Sequence, residues 1–136
     1  MDCIFCKIVK REIPAKIIAE TGKSLAFIDA FPLTKGHSLV IPKNHYAKVQ
    51  DIATDDYADL FETVRKVISK VDKISNATLL AVHNGKESGQ EVPHVHVHLI
   101  PRSSEDSAGP VHSMFENPPK LSDDEISNIY EKLKKS

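Results

Sequence analysis

Residues 94–100 read His-Val-His-Val-His-Leu-Ile, and this alternation of titratable and apolar side chains has the period of a β-strand. Successive side chains of a strand point to opposite faces, so His94, His96 and His98 are expected in one polar row, with Val95, Val97 and Leu99 behind it. Packing alone gives little reason to align three imidazoles. A ring with a pKa near ~6.5 serves as nucleophile, proton donor or metal ligand at neutral pH, so the row points to chemistry.

Further elements follow from the flanking pattern. Cys3 to about Arg11 suits a short helical turn before Pro14, and residues 15–20, 24–29 and 37–41 read as strands. The loop from Ala30 to Gly36 carries a Pro and a Gly that argue against continuing either strand, so His37 begins a strand at a turn. Tyr57, Leu60, Phe61, Val64, Val67, Ile68 and Val71 recur at helical spacing, with Thr54 as the expected N-cap. That stripe is read as a packing face laid on a sheet. Residues 77–83 form a strand, the polar turn 84–90 follows, and the histidine strand returns antiparallel to it. After Pro101 the composition shifts to a polar segment read as a mobile loop. Ser122 with Glu125 resembles a capping box before Ile126, Ile129, Tyr130 and Leu133. The order of elements gives an α+β class: a largely antiparallel sheet of about five strands, one long helix and a short C-terminal helix. Residues 1–136 are expected to form a single domain, with the C-terminal loop and helix at about 102–136.

A chain of 136 residues can bury a core without covalent staples. Its 18 basic and 19 acidic residues nearly balance, which gives no electrostatic case for nucleic acid or an acidic membrane. The first residues lack the pattern of a secretory signal, and no stretch approaches a membrane span of ~20 apolar residues, so a cytoplasmic location is expected. Cys3 and Cys6 are too close to staple a large loop. In a reducing compartment such a pair reads as a metal site, a redox site or an incidental buried pair.

Two chemistries suit the histidine row. His-x-His on a strand can present two nitrogens to one zinc ion, although converging all three rings needs a strongly bent strand. Alternatively, a neutral imidazole attacks phosphorus, forming a phosphoramidate intermediate while neighbouring rings and backbone N–H groups stabilise the charge on oxygen.

The segments Cys3-Ile4-Phe5-Cys6-Lys7-Ile8, Ala26-Phe27-Ile28-Asp29, Gly36-His37-Ser38-Leu39-Val40-Ile41-Pro42-Lys43, Asn84-Gly85, Gly89-Gln90 and His94 to Ile100 together resemble the histidine triad (HIT) family, in particular its Hint-like branch of microbial type. The resemblance runs along nearly the whole chain in the family's order. It implies a homodimeric nucleotide hydrolase or transferase acting on a purine nucleoside monophosphate conjugate of phosphoramidate type. A dinucleoside polyphosphate hydrolase is the alternative, and a binding or scaffolding protein with vestigial catalysis is a third reading. By position, His96 matches the nucleophile, His98 the contact to phosphate oxygens and His37 the auxiliary histidine. Asp29 matches the ribose-binding acid, and Phe5, Ile8, Phe27 and Leu39 the base pocket. Zinc-containing members use residues corresponding to Cys3, Cys6, His45 and His94, which implies a structural zinc and takes His94 out of the chemistry. No organic cofactor is implied.

Two positions depart from the family's pattern. His83 stands where Asn or Gln is common, before Asn84 and the Gly turn. Glu91 stands where Ser or Thr often follows Gly89-Gln90. The expectation is that Glu91 faces solvent while the backbone N–H groups of Gln90 to Val92 meet the phosphate.

Overall fold

Alternation along the strands sorts the apolar residues onto two faces, each covered by a different helix. The computed structural model describes residues 2–111, 116 and 118–135. Strands β1 (Ile17–Glu20), β2 (Ser24–Ile28), β3 (Ser38–Pro42), β4 (Ala77–Ala81) and β5 (Val97–Arg102) form one antiparallel sheet in the order β1-β2-β3-β5-β4. The helices are α1 (Ile4–Val9), α2 (Thr54–Val71) and α3 (Asp123–Lys134).

The register pairs Ala26 with Val40 and Val40 with Val97, and the next residues along pair Phe27 with Leu39 and Leu39 with His98. Ala26, Val40, Val97 and Leu99 therefore share a face, onto which α2 packs Leu60, Val64, Val67 and Val71. The opposite face gathers Leu25, Phe27, Leu39 and Ile41 under Phe5 and Ile8 of α1. His98 belongs to this second face, so its ring stands on the α1 side rather than under the long helix. Burying these apolar side chains on both faces stabilises each by roughly 1.5–3 kcal/mol, which holds the sheet in this register.

Several expectations are corrected. Ala53, not Thr54, is the N-cap of α2, and no side chain caps it; Thr54 already has a helical place, and Asp55 and Asp56 in the first turn complement the helix dipole. Tyr57 lies exposed, off the buried stripe. The histidine strand begins at Val97 rather than His94, because the His94 N–H turns back onto Val92 O at 2.8 Å just after Pro93 and the Val95 N–H is taken by Tyr46 O at 2.8 Å. The β4 strand ends at Ala81, so His83 lies beyond it in the turn. The segment after β5 is organised by Asp106, whose carboxylate accepts from Arg102 Nε at 2.7 Å and from the N–H groups of Ser103 and Ala108 at 2.9 Å each. Ser122 and Glu125 do form the reciprocal capping box. None of the described residues of α3 is buried. Among the described residues, no helix is long and apolar enough to cross a membrane.

Candidate functional site

The site rises from the bend that precedes β5. His94 is fully buried, and its Nε2 donates to Pro42 O at 2.8 Å. A carbonyl only accepts, so the proton sits on Nε2 and the Nδ1 lone pair points elsewhere. It points at sulfur, with Nδ1 3.5 Å from Cys3 Sγ and 3.6 Å from Cys6 Sγ. His45 Nδ1 lies 3.4 Å from Cys6 Sγ. The four ligand atoms all lie within 4.8 Å of one another. A tetrahedron with metal–sulfur bonds of ~2.3 Å and metal–nitrogen bonds of ~2.0 Å has S···N edges of about 3.5 Å, so the donor set and its spacing fit a metal ion. The carbonyl behind His94 is the second partner that usually orients a ligating imidazole.

Sequence reasoning missed what holds His45. Asp56, only 7% exposed, accepts from Asn44 Nδ2 at 2.9 Å and from the Tyr46 hydroxyl at 2.6 Å, gripping both neighbours of His45. Those two hydrogen bonds hold the Asp56 carboxyl below its ordinary range. The signal was present, since Asp56 precedes Leu60 by four residues and Val64 by eight, on the buried stripe of α2.

The other two rings of the row are fixed separately. His96 Nδ1 donates to His94 O at 2.8 Å, which leaves Nε2 as the free lone pair. Its ring lies between Phe5, 5.0 Å away centroid to centroid, and His98, 4.9 Å away. His98 is set by a relay. The Leu33 N–H donates to His37 Nδ1 at 3.0 Å, so His37 carries its proton on Nε2, which faces His98 Nδ1 at 2.9 Å. His98 therefore accepts at Nδ1 and holds its proton on Nε2. Asp29 Oδ2 stands 3.5 Å from the same His37 nitrogen, and Asp29 Oδ1 takes the Phe31 N–H at 2.9 Å. The loop that presents His37 is pinned by Thr34, whose hydroxyl donates to Pro101 O at 2.7 Å. Among the described residues, no candidate metal group contains two of His94, His96 and His98, so the rings do not converge on one ion.

Around this centre, the apolar candidates Phe5, Ile8, Phe27 and Leu39 are brought together in one buried cluster. The polar candidates divide. Gln90 braces the turn, accepting from the Gly85 N–H at 2.8 Å and donating to Ala47 O at 2.8 Å. Asn84 is committed away from the rings, accepting from the Val49 N–H at 2.9 Å and donating to Gln50 Oε1 at 3.0 Å. Glu91 is exposed and Val92 half-buried. His83 reaches the rings, standing 5.5 Å from His98 at an interplanar angle of 87°. Gly89 makes room for it: at φ +101°, a Cβ there would lie 3.0 Å from His83 Nδ1.

Burial pushes His98 down to about 4, helped by the neighbouring His96, His37 and His83 and opposed by Asp29. Burial also lowers His96, against the opposing hydrogen bond to His94 O, and lowers His37 against Asp29. The rings are thus neutral near pH 7. Below pH 6.5 the unfolded chain binds protons that these folded sites refuse, so stability falls as pH drops from about 6.5 towards 4. The lowering of His98 alone, from 6.5 to about 4, corresponds to roughly 3 kcal/mol. Urea unfolding at pH 7 and 4.5 should show this decline, reduced in His98→Asn; an equal decline in both proteins contradicts the assignment.

Comparison with known proteins settles the family. A family model described as the HIT domain matches residues 10–105. The chain belongs to the HIT family. Adenosine 5'-monophosphoramidase hnt1 of Schizosaccharomyces pombe is 46% identical over 106 residues, covering 78% of this chain and 78% of that HIT protein. The crystal structure of a histidine triad nucleotide-binding protein from Candida albicans superposes with a TM-score of 0.84 at 35% identity, covering 98% of this chain and 96% of that one. A zinc-bound histidine triad family protein from Mycobacterium smegmatis gives a TM-score of 0.74 at 31% identity, covering 80% and 81%.

Proposed function

We propose that this HIT protein is a nucleotide hydrolase that releases a purine nucleoside monophosphate from a small conjugate, by attack of His96 Nε2 on the α-phosphorus. The observation that carries the reading is the pair of fixed tautomers: an unprotonated Nε2 on His96 beside an N–H on His98, in rings 4.9 Å apart. A lone pair for phosphorus and a donor for its oxygens are what a double displacement through a nucleotidyl-histidine needs. The name of the fission-yeast relative, a monophosphoramidase, supports the same class.

In this reading Asp29 takes the ribose hydroxyls and Phe5, Ile8, Phe27 and Leu39 line the base side. The main-chain N–H groups of Glu91 and Val92, which have no acceptor among the described residues, meet the phosphate. Asn84, Gly89 and Gln90 act by shaping that turn. The metal is proposed to be zinc, held by Cys3, Cys6, His45 and His94, a thiolate and imidazole set that zinc favours. When bound, it supplies a cross-link rather than reaction chemistry. The partner in a homodimer is proposed to meet the open edge of the sheet, where β4 exposes Leu80 with Val82 next to it.

The test compares turnover of adenosine phosphoramidate with that of diadenosine polyphosphate. The proposal expects the phosphoramidate to have the higher kcat/KM. A reversed order favours the dinucleoside polyphosphate reading, and nucleotide binding with no turnover of either overturns the enzymatic one.

A further inference from the structure

We propose that His83 is a catalytic residue of this site, the proton donor to the leaving group in the first displacement and the proton acceptor from water in the second. The inference rests on the nucleotidyl-transfer reading above and adds to it a residue at a position where the family commonly carries a non-titrating amide.

Three observations place His83 for this task. Its Nδ1 faces Ser88 O at 2.6 Å, so that nitrogen keeps its proton and Nε2 alone is left to exchange one. The ring stands edge to face with His98, 5.5 Å away, and His98 in turn is 4.9 Å from His96. Gly89, whose lack of a side chain admits the His83 ring, also borders an open concavity of about 560 Å³ lined by Lys86, Gln90, Glu91 and Pro93. In the proposal the leaving group departs on the Gly89 side, next to His83. The two charged residues that line the concavity, Lys86 and Glu91, are of opposite sign.

The other rings are unsuited to the same duty. His96 spends Nε2 on phosphorus. His98 could become an imidazolium only by protonating Nδ1, the atom that accepts from His37, and so would break the relay that orients it. An amine leaving from phosphorus is a strongly basic anion unless it takes up a proton as the bond breaks, and supplying that proton typically contributes 10²–10⁴-fold.

The steps balance as follows. The His96 Nε2 lone pair forms a bond to phosphorus, the bond from phosphorus to the amine nitrogen breaks, and its electron pair takes the Nε2 proton of cationic His83. This leaves a neutral amine, nucleotidyl-His96 and neutral His83. Water then attacks phosphorus and passes a proton to His83 Nε2, while the phosphorus–His96 bond returns its pair to Nε2.

The experiment measures kcat/KM of wild type, His83→Asn and His83→Gln on two substrates that differ only in the leaving group. One is an alkylamine phosphoramidate of adenosine monophosphate, the other its p-nitrophenyl ester, whose phenolate departs without a proton. The proposal expects the amine-to-aryl ratio of kcat/KM to fall by at least about 100-fold in both variants. An unchanged ratio, whether the two substrates lose activity together or neither does, overturns the role of His83 while leaving the nucleotidyl-transfer reading intact. A wild-type protein inert on both substrates removes that reading and this inference with it.

Discussion

Replacing His96 with alanine should abolish turnover of adenosine phosphoramidate, by a factor of at least ~10⁴, while nucleoside monophosphate still binds within about tenfold, or ~1.4 kcal/mol. The asymmetry follows from the site. His96 Nε2 is proposed to form a bond that exists only after the ground state, whereas the ribose, base and phosphate contacts are assigned to Asp29, the α1-side cluster and the N–H groups of Glu91 and Val92, the Gln90 N–H being taken by Gly85 O at 3.4 Å. Phe5 packs against the His96 ring, so some loss of stability accompanies the substitution. Binding measured by calorimetry separates this from unfolding, because an unfolded variant loses affinity as well. Undiminished turnover in His96→Ala would refute the nucleophile assignment.

Removing the proposed zinc should cost stability before it costs chemistry. Cys6→Ser, or a strong chelator, is expected to lower unfolding stability by at least about 3 kcal/mol and to reduce bound zinc from one ion per chain to none. The reason is mechanical. The four ligands come from the N-terminal segment, the 43–46 segment and the bend before β5, and the ion would join all three. Cys3 also caps α1, its Sγ accepting from the Cys6 N–H at 3.4 Å. Releasing α1 loosens Phe5 from His96, so activity falls secondarily, in step with the folded fraction. Metal analysis alongside thermal unfolding checks this. A protein that purifies without metal and unfolds identically in chelator contradicts the structural site, and one that stays folded in chelator but stops turning over supports a catalytic ion instead.

Period-two alternation puts the three histidines in one row opposite Val95 and Val97, because side-chain direction along extended backbone is a local property; that the row faces Phe5 of α1 comes from the fold. His94 keeps to that face, against Cys3, Cys6 and Phe5, but the backbone there bends out of the strand. The bend comes from the Val92 carbonyl, which takes the His94 N–H, and from Tyr46 O, which takes the N–H of Val95 from 49 residues earlier; strand periodicity carries no information about such a partner. The Thr54 cap failed because capping depends on one residue's φ and ψ, and Ala53, with ψ 147°, occupies that place. Asn84 and Gln90 read as phosphate-side residues and not as braces, since their partners Val49, Gln50 and Ala47 lie far off in sequence. The tautomers that distinguish the three rings were hidden altogether. They depend on which neighbour is an obligate donor or acceptor, and only the fold brings Leu33, Pro42 and the His94 carbonyl to those nitrogens.

The stereochemistry at phosphorus tests the central claim most directly. Hydrolysis of a phosphoramidate chiral at phosphorus, carrying one sulfur in place of a non-bridging oxygen, is run in isotopically labelled water, and the product's configuration is determined. Two successive in-line displacements, the first by His96, predict net retention. Net inversion would mean that water attacks the substrate directly, and would contradict the nucleotidyl-histidine account.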